Sequence, residues 1–147
     1  MRKINQIIIH CSDSSFGNVE IIRDWHVKGN GWDDIGYHYV ITNGCDHKNA
    51  FSPDRDGVVE FGRPIDVKGS HCYGHNSDSI GVCLIGIKDF TNQQYESLKK
   101  LCVDLMARFN IPLENIKGHC EYNSKKTCPN INPDFIREII GLKMEKK

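Results

Sequence analysis

SIGVCLI, residues 79–85, is apolar at nearly every position. It shows neither a helical stripe nor the in-and-out alternation of a half-exposed strand. A short run that is apolar on both sides must be covered on both faces, which puts it at the centre of a sheet with helices above and below. The flanking segments supply those layers. Downstream, Thr91-Asn-Gln-Gln94 is a capping box. It opens a helix to about Phe109, with Tyr95, Leu98, Leu101, Cys102, Leu105 and Phe109 on one stripe. Upstream, residues 64–78 are irregular and rich in Gly, Ser and His. Residues 57–61 (GVVEF) and 36–42 (GYHYVIT) read as two strands of a hairpin. Between them, residues 43–56 carry Asn-Gly, Ser-Pro and Asp-Gly and read as a long loop.

The ends complete the pattern. Residues 4–10 (INQIIIH) form a short β-branched strand. Asn18 caps a helix to about Lys28 with Val19, Ile22 and Trp25 on one face. Residues 115–119 are a short strand. Asn132-Pro133 start a last helix, with Phe135, Ile136, Ile139 and Ile140 inward, that stops at Gly141. Interleaved strands and helices define an α/β class of mixed α+β character. The expected architecture is a single central mixed sheet of about five strands flanked by helices. Residues 1–142 make one domain, and 143–147 a charged tail.

Composition narrows the function. Lysine plus arginine and aspartate plus glutamate are 19 each, so no net field favours nucleic acid or an anionic membrane. Seven cysteines, an odd count lying in apolar runs or beside histidines, read as reduced thiols rather than a disulfide framework. The start, MRKINQIIIHCSD, has too short an apolar run for a signal-peptide core, and no stretch approaches a membrane span. The expected site of synthesis is a reducing cytoplasm.

Two His-Cys dipeptides, His10-Cys11 and His119-Cys120, each close an expected strand. Neighbours in a strand point to opposite faces. If both histidines face one cleft, Cys11 and Cys120 face away. A catalytic zinc takes three protein ligands and keeps a fourth position open. Cys128, on a loop before Pro129, is the natural third ligand. Two neutral imidazoles and a thiolate would leave the site at a net charge of about +1, suited to activating water or a carbonyl. Taken singly, each of these residues reads as readily as a satisfied core group. Elsewhere, Asp54-Arg-Asp56-Gly57 lacks the glutamate that a calcium loop needs at its twelfth position, which is Ile65. Cys45-Asp-His47 reads as an exposed hairpin loop. Trp25 and Trp32 read as core or cleft-rim packing.

Longer stretches resolve the ambiguity. IIIHCSDS, WDDIGYHYVI, EFGRP, GSHCYGHNSDSIGVCLIG and GHCEYNSKKTCPN occur in that order over nearly the whole chain. Together they resemble the type 2 N-acetylmuramoyl-L-alanine amidases, the family of phage lysozyme-amidases and peptidoglycan recognition proteins, and most nearly its phage endolysin branch. The resemblance implies hydrolysis of the amide between N-acetylmuramic acid and L-alanine of peptidoglycan. It implies one catalytic Zn2+ on His10, His119 and Cys128. It places the family's site tyrosine at Tyr37 and the phage branch's catalytic lysine at Lys126, two residues before Cys128. It places a cleft-lining, substrate-binding histidine at His71. Asn76 and Trp32 are further substrate-binding candidates, Asn76 serving otherwise as a cap for its own loop. The expected partner is peptidoglycan, with no nucleic acid and no membrane insertion. A monomer that is made in the host cytoplasm and depends on a holin for access to the wall is the implied life history. The alternatives are a non-catalytic peptidoglycan-binding module and a regulator of a phage RNA polymerase.

Overall fold

The computed structural model describes the backbone of residues 2–145 and the side chains of residues 2–142. Five strands form one mixed sheet in the order β3-β2-β4-β1-β5. They are β1 (Gln6–Cys11), β2 (Tyr39–His47), β3 (Ala50–Phe61), β4 (Ser79–Leu84) and β5 (Ile116–Gly118). Strand β1 lies parallel to both β4 and β5, and β2 lies parallel to β4; only β2 and β3 are antiparallel. Every residue of β1 and β4 is buried, as the continuous apolar run of 79–85 requires.

The strand alternation divides the core into two layers. Ile7, Ile9, Ile41, Ile80, Val82 and Leu84 pack against α2 (Asn92–Phe109) and α3 (Pro133–Glu145). On the other face, Val40, Cys83 and Ile85 meet Val19 and Ile22 of α1 (Val19–Asp24). Asn18 caps α1 by accepting from the Ile21 N–H, and α1 runs on into a π turn, Trp25–Gly29. The capping box of α2 is formed as expected. Its Gln94 is fully buried and donates to the carbonyls of both Ile41 and Ile85, so the helix start is tied to the body of β2 and to the residue that follows β4.

Four expectations are corrected. Residues 43–56 are not a loop: β2 continues to His47, β3 begins at Ala50, and only Lys48-Asn49 turn, with Asn49 at φ 60°. The Ser-Pro and Asp-Gly pairs sit where the ladder shifts register: Ser52-Pro53 between Cys45↔Phe51 and Asn43↔Asp56, and Asp56-Gly57 between Asn43↔Asp56 and Ile41↔Val59. Strand β3 is at the sheet edge, where a proline and a bulge cost little. Second, residues 36–38 precede β2 rather than belonging to it. Third, α3 passes Gly141 and runs to Glu145. A single glycine costs a helix only about 1 kcal/mol, and Ile140 is anchored in the core one residue earlier. Fourth, Trp25 and Phe135 are 41% and 45% exposed. Each lies at the flank of its helix, against Phe16 and Tyr95 respectively, while Ile22 and Ile136 take the core positions.

Candidate metal centre

His10 pairs in register with Cys83, so it shares the α1 face of the sheet. Helix α1 covers only part of that face. Beyond it a cleft of about 770 Å³ opens, floored by His10 and His119 and reaching Cys128. Its floor lies at the carboxyl ends of the parallel strands β1 and β5, where open α/β sheets commonly hold ligands. His119 begins a 3-10 turn (His119–Glu121) directly after β5. Cys128 is brought in by the next loop: its carbonyl accepts from the Cys120 N–H at 2.8 Å, and its Sγ accepts from the Cys11 N–H at 3.1 Å.

Ligand atoms of His10, His119 and Cys128 all lie within 4.8 Å of one another, the one such metal-capable group among the described residues. The donor set fits zinc. Ligands at about 2.0–2.3 Å in a tetrahedron stand within about 4 Å of each other. Burial, followed by the nearby His71 and His119, pushes His10 well below the usual histidine range, so it is a neutral imidazole with a lone pair to give. Burial and then Lys126 lower His119 as well. The hydrogen bond with Cys11 and burial push the Cys128 thiol up. A thiolate there needs a cation beside it.

The Cys11 expectation is corrected. Its thiol does not turn from the site: it contacts Cys128, receives a bond from Asn130 Nδ2 at 3.6 Å and lines the cleft. Cys11 is the last residue of β1, where the chain already bends toward the loops. Cys120 does face away, toward Gly118 and outside the cleft lining.

The other expected residues gather around this centre. Tyr37 lies 5.0 Å from the His10 ring, centroid to centroid. Burial, then the Cys83, Cys128 and Cys11 thiols around it, raise its hydroxyl well above the usual range, so Tyr37 keeps its proton. Gly36 before it leaves no room for a side chain, since a Cβ there would strike the Ser70 carbonyl. Lys125 and Lys126 both line the cleft wall, but Lys126 is the one whose charge reaches His119. The segment that carries it is a turn, with the Lys126 N–H bonded to the Asn123 carbonyl. Trp32 stands at the rim, 37% exposed, against the His26 ring at 4.7 Å. Asn76 spends its amide oxygen on the N–H groups of His71 and Cys72, the loop-capping role. His71 is buried in the wall beside His10.

Sequence reasoning missed His26, Tyr73 and Tyr122, all of which line the cleft. His26 lies on the π turn, and its Nδ1 accepts from the Gly36 N–H at 2.9 Å, which fixes its other nitrogen as the N–H. Tyr73 is fully exposed. Tyr122 stacks on His75 at 3.8 Å and reaches Gln6 with its hydroxyl. Away from the cleft lining, buried Arg63 donates to the Ile35 and Lys68 carbonyls, and half-buried Arg2 to those of Ile65 and Ser79.

The chain is similar to known proteins. Residues 1–131 match the family described as Amidase_2, N-acetylmuramoyl-L-alanine amidase. The endolysin of Escherichia phage T7 is 38% identical over 137 residues, covering 86% of this chain and 80% of that one. The endolysin of Klebsiella phage KP32 is 35% identical over 142 residues, covering 89% and 83%. Among solved structures, the N-acetylmuramoyl-L-alanine amidase LysC from Clostridium intestinale URNW superposes with a TM-score of 0.79 at 29% identity, covering 98% of this chain and 87% of that one. Drosophila PGRP-LB shares the fold, with a TM-score of 0.68 at 24% identity over 88% of this chain and 76% of that one.

Proposed function

The chain belongs to the N-acetylmuramoyl-L-alanine amidase family, and we propose that it cuts peptidoglycan with one zinc ion held by His10, His119 and Cys128. The reaction is hydrolysis of the amide between N-acetylmuramic acid and L-alanine of the stem peptide. The observation that carries the zinc reading is the convergence of those three donors on the cleft floor.

When bound, zinc would supply a Lewis acid that polarises the scissile carbonyl and makes water acidic enough to attack near neutral pH. The chain's own groups do the rest. Tyr37, kept protonated by burial, donates a hydrogen bond from Oη toward the oxygen on which negative charge develops. Lys126 Nζ, on the wall beside His119, places a cation near that charge. Together they take the part that a glutamate plays in zinc peptidases, whose H-E-x-x-H helix this chain lacks. His71, Asn76 and Trp32 line the wall against which the stem peptide would lie.

The phage relatives are endolysins, and the same role is proposed here: a monomer made in the host cytoplasm that reaches the wall once a holin opens the membrane. Residues 1–142 would act as the whole catalytic unit. Among the described residues no helix is long and apolar enough to cross a membrane. A non-catalytic peptidoglycan-binding role is the second reading; the presence of Cys128 with both histidines favours the enzyme. The deciding experiment digests purified peptidoglycan with the protein alone, with a chelator, and with zinc restored. New L-alanine amino termini that vanish with the chelator and return with zinc are the expected result. Cleavage indifferent to the chelator would remove the zinc mechanism, and binding without cleavage would leave the second reading.

A further inference from the structure

The His71 ring has no nitrogen left for substrate. Its Nδ1 lies 2.9 Å from His10 Nε2, and its Nε2 lies 3.1 Å from Ser79 Oγ. It is 9% exposed, and Ser79 is fully buried. The ring rests flat against the sheet, where β4 has Gly81: a Cβ on that residue would come within 2.7 Å of the imidazole. The His71 N–H and that of Cys72 are both held by Asn76 Oδ1 at 2.9 Å, so the backbone carrying the ring is fixed too.

The hydrogen bond between two imidazoles constrains both. One nitrogen must donate and the other accept. If His71 Nδ1 carried the proton, His10 would accept at Nε2 and hold its own proton on Nδ1, leaving it no lone pair for a metal. If His10 Nε2–H donates instead, its Nδ1 is bare. Neutral His71 then carries its proton on Nε2 and donates to Ser79 Oγ, which lies in place to accept. Only this second arrangement lets His10 act as a ligand. It runs without a break from Ser79 through His71 to His10.

The geometry points to His71 as a positioning residue: through its Nδ1, and backed by Ser79, it fixes the tautomer and ring orientation of His10 and so sets the affinity of the metal site. This rests on the reading of His10 as a ligand. It changes the expected role of His71 from substrate contact to outer support of the metal. Partners of this kind commonly alter metal affinity or activity by about 10- to 100-fold when removed.

The test measures zinc affinity of the full chain by competition with a chromophoric chelator, beside KM and kcat on peptidoglycan. His71→Ala should bind zinc about 10- to 100-fold more weakly. His71→Asn, whose amide oxygen falls where Nδ1 stood and can still accept from His10, should recover most of that loss. Ser79→Ala should weaken zinc in the same direction by less. Unchanged zinc affinity in His71→Ala, with a raised KM, would make the residue a substrate contact and overturn the inference. Equal losses in His71→Ala and His71→Asn would overturn it as well. Should His71→Ala fail to fold, the zinc-loaded wild-type chain decides. Imidazole proton–nitrogen correlation spectra should place the proton of both His10 and His71 on Nε2. A His10 proton on Nδ1 would refute the assignment. If the wild-type chain bound no zinc, the metal reading itself would fall and this one with it; zinc bound equally by all variants would sink this inference alone.

Discussion

The parallel part of the sheet and its antiparallel arm are built to different standards. Strands β1 and β4 are buried at every residue and pair without a slip over six positions. The β2–β3 arm is half exposed beyond Thr42 and shifts register three times. The candidate metal centre stands on the first region and takes nothing from the distal arm. Strands covered on both faces have one workable register, because a slip by one residue would exchange their two cores. An exposed edge tolerates slips, and here it holds proline, glycine and charged residues that would not survive inside. The contrast shows where side-chain positions are held tightly enough for chemistry.

Substitutions at the ends of the parallel strands should give the largest effects. His119→Ala or Cys128→Ser should lower peptidoglycan cleavage on the order of a thousandfold or more. Their urea midpoints, taken in chelator, should stay near wild type. Cleavage within tenfold of wild type would break the comparison at its strongest point. Lys126→Ala should cost about 10²- to 10³-fold in kcat, whereas Lys125→Ala should stay within a few-fold; the reverse order would move the catalytic cation to Lys125.

Stability should divide the same way. Ile80 in β4 is fully buried, and Ile80→Ala should cost about 2–5 kcal/mol in denaturant unfolding. At the junction of the two regions, His38 is held down to about 4 by burial, the cause that outweighs all others. Its Nδ1 accepts from the Gly81 N–H, and Arg2 stands 3.1 Å from Nε2, so a proton there meets a donor on one side and a cation on the other. The unfolded chain protonates this histidine near 6.5 while the folded one resists until about 4. The group therefore gives its full stability above about pH 6.5 and loses it as pH falls through that window, up to about 3 kcal/mol by pH 4. A urea midpoint unchanged between pH 7 and 4.5 would contradict this. The smallest effect belongs to the arm. Arg55 joins Asp46 and Glu60 at 2.9 and 2.8 Å in a partly exposed setting. Arg55→Ala should cost no more than about 1 kcal/mol and leave cleavage within twofold.

The same contrast explains what could be read from the sequence. Strand β1 announced itself as a short β-branched run, β4 as a nearly continuous apolar one, and the start of α2 as a capping box, because each is specified by neighbours in the chain. His10, His119 and Cys128 were candidates because two close expected strands and the third precedes a proline, but only the family resemblance set them apart from core groups; the fold brings the three donors together. The arm was hidden: Asn-Gly, Ser-Pro and Asp-Gly mark breaks in a ladder as well as breaks in a strand, and only the partner strand tells which. His26 was hidden because a π turn, not a regular helix, aims it into the cleft. Arg63 was not legible as a buried cation, since its partners, the Ile35 and Lys68 carbonyls, are identified only by the fold. The contact between Cys11 and Cys128 broke the alternation rule because the strand ends there.

Strand β1 lies between β4 and β5, and both of its partners come later in the chain. Cys11 and Cys128, joined by a hydrogen bond from the Cys11 N–H to the Cys128 sulfur, are 117 residues apart. During synthesis at about 5–20 residues per second, the first-made strand would wait on the order of ten seconds for the segment that completes the candidate metal centre. Until Cys128 has been added, the candidate centre lacks one of its three donors. On the proposed zinc mechanism, wall cutting would be timed by the order of strands in the sheet: a chain not yet made as far as Cys128 would be an inactive one.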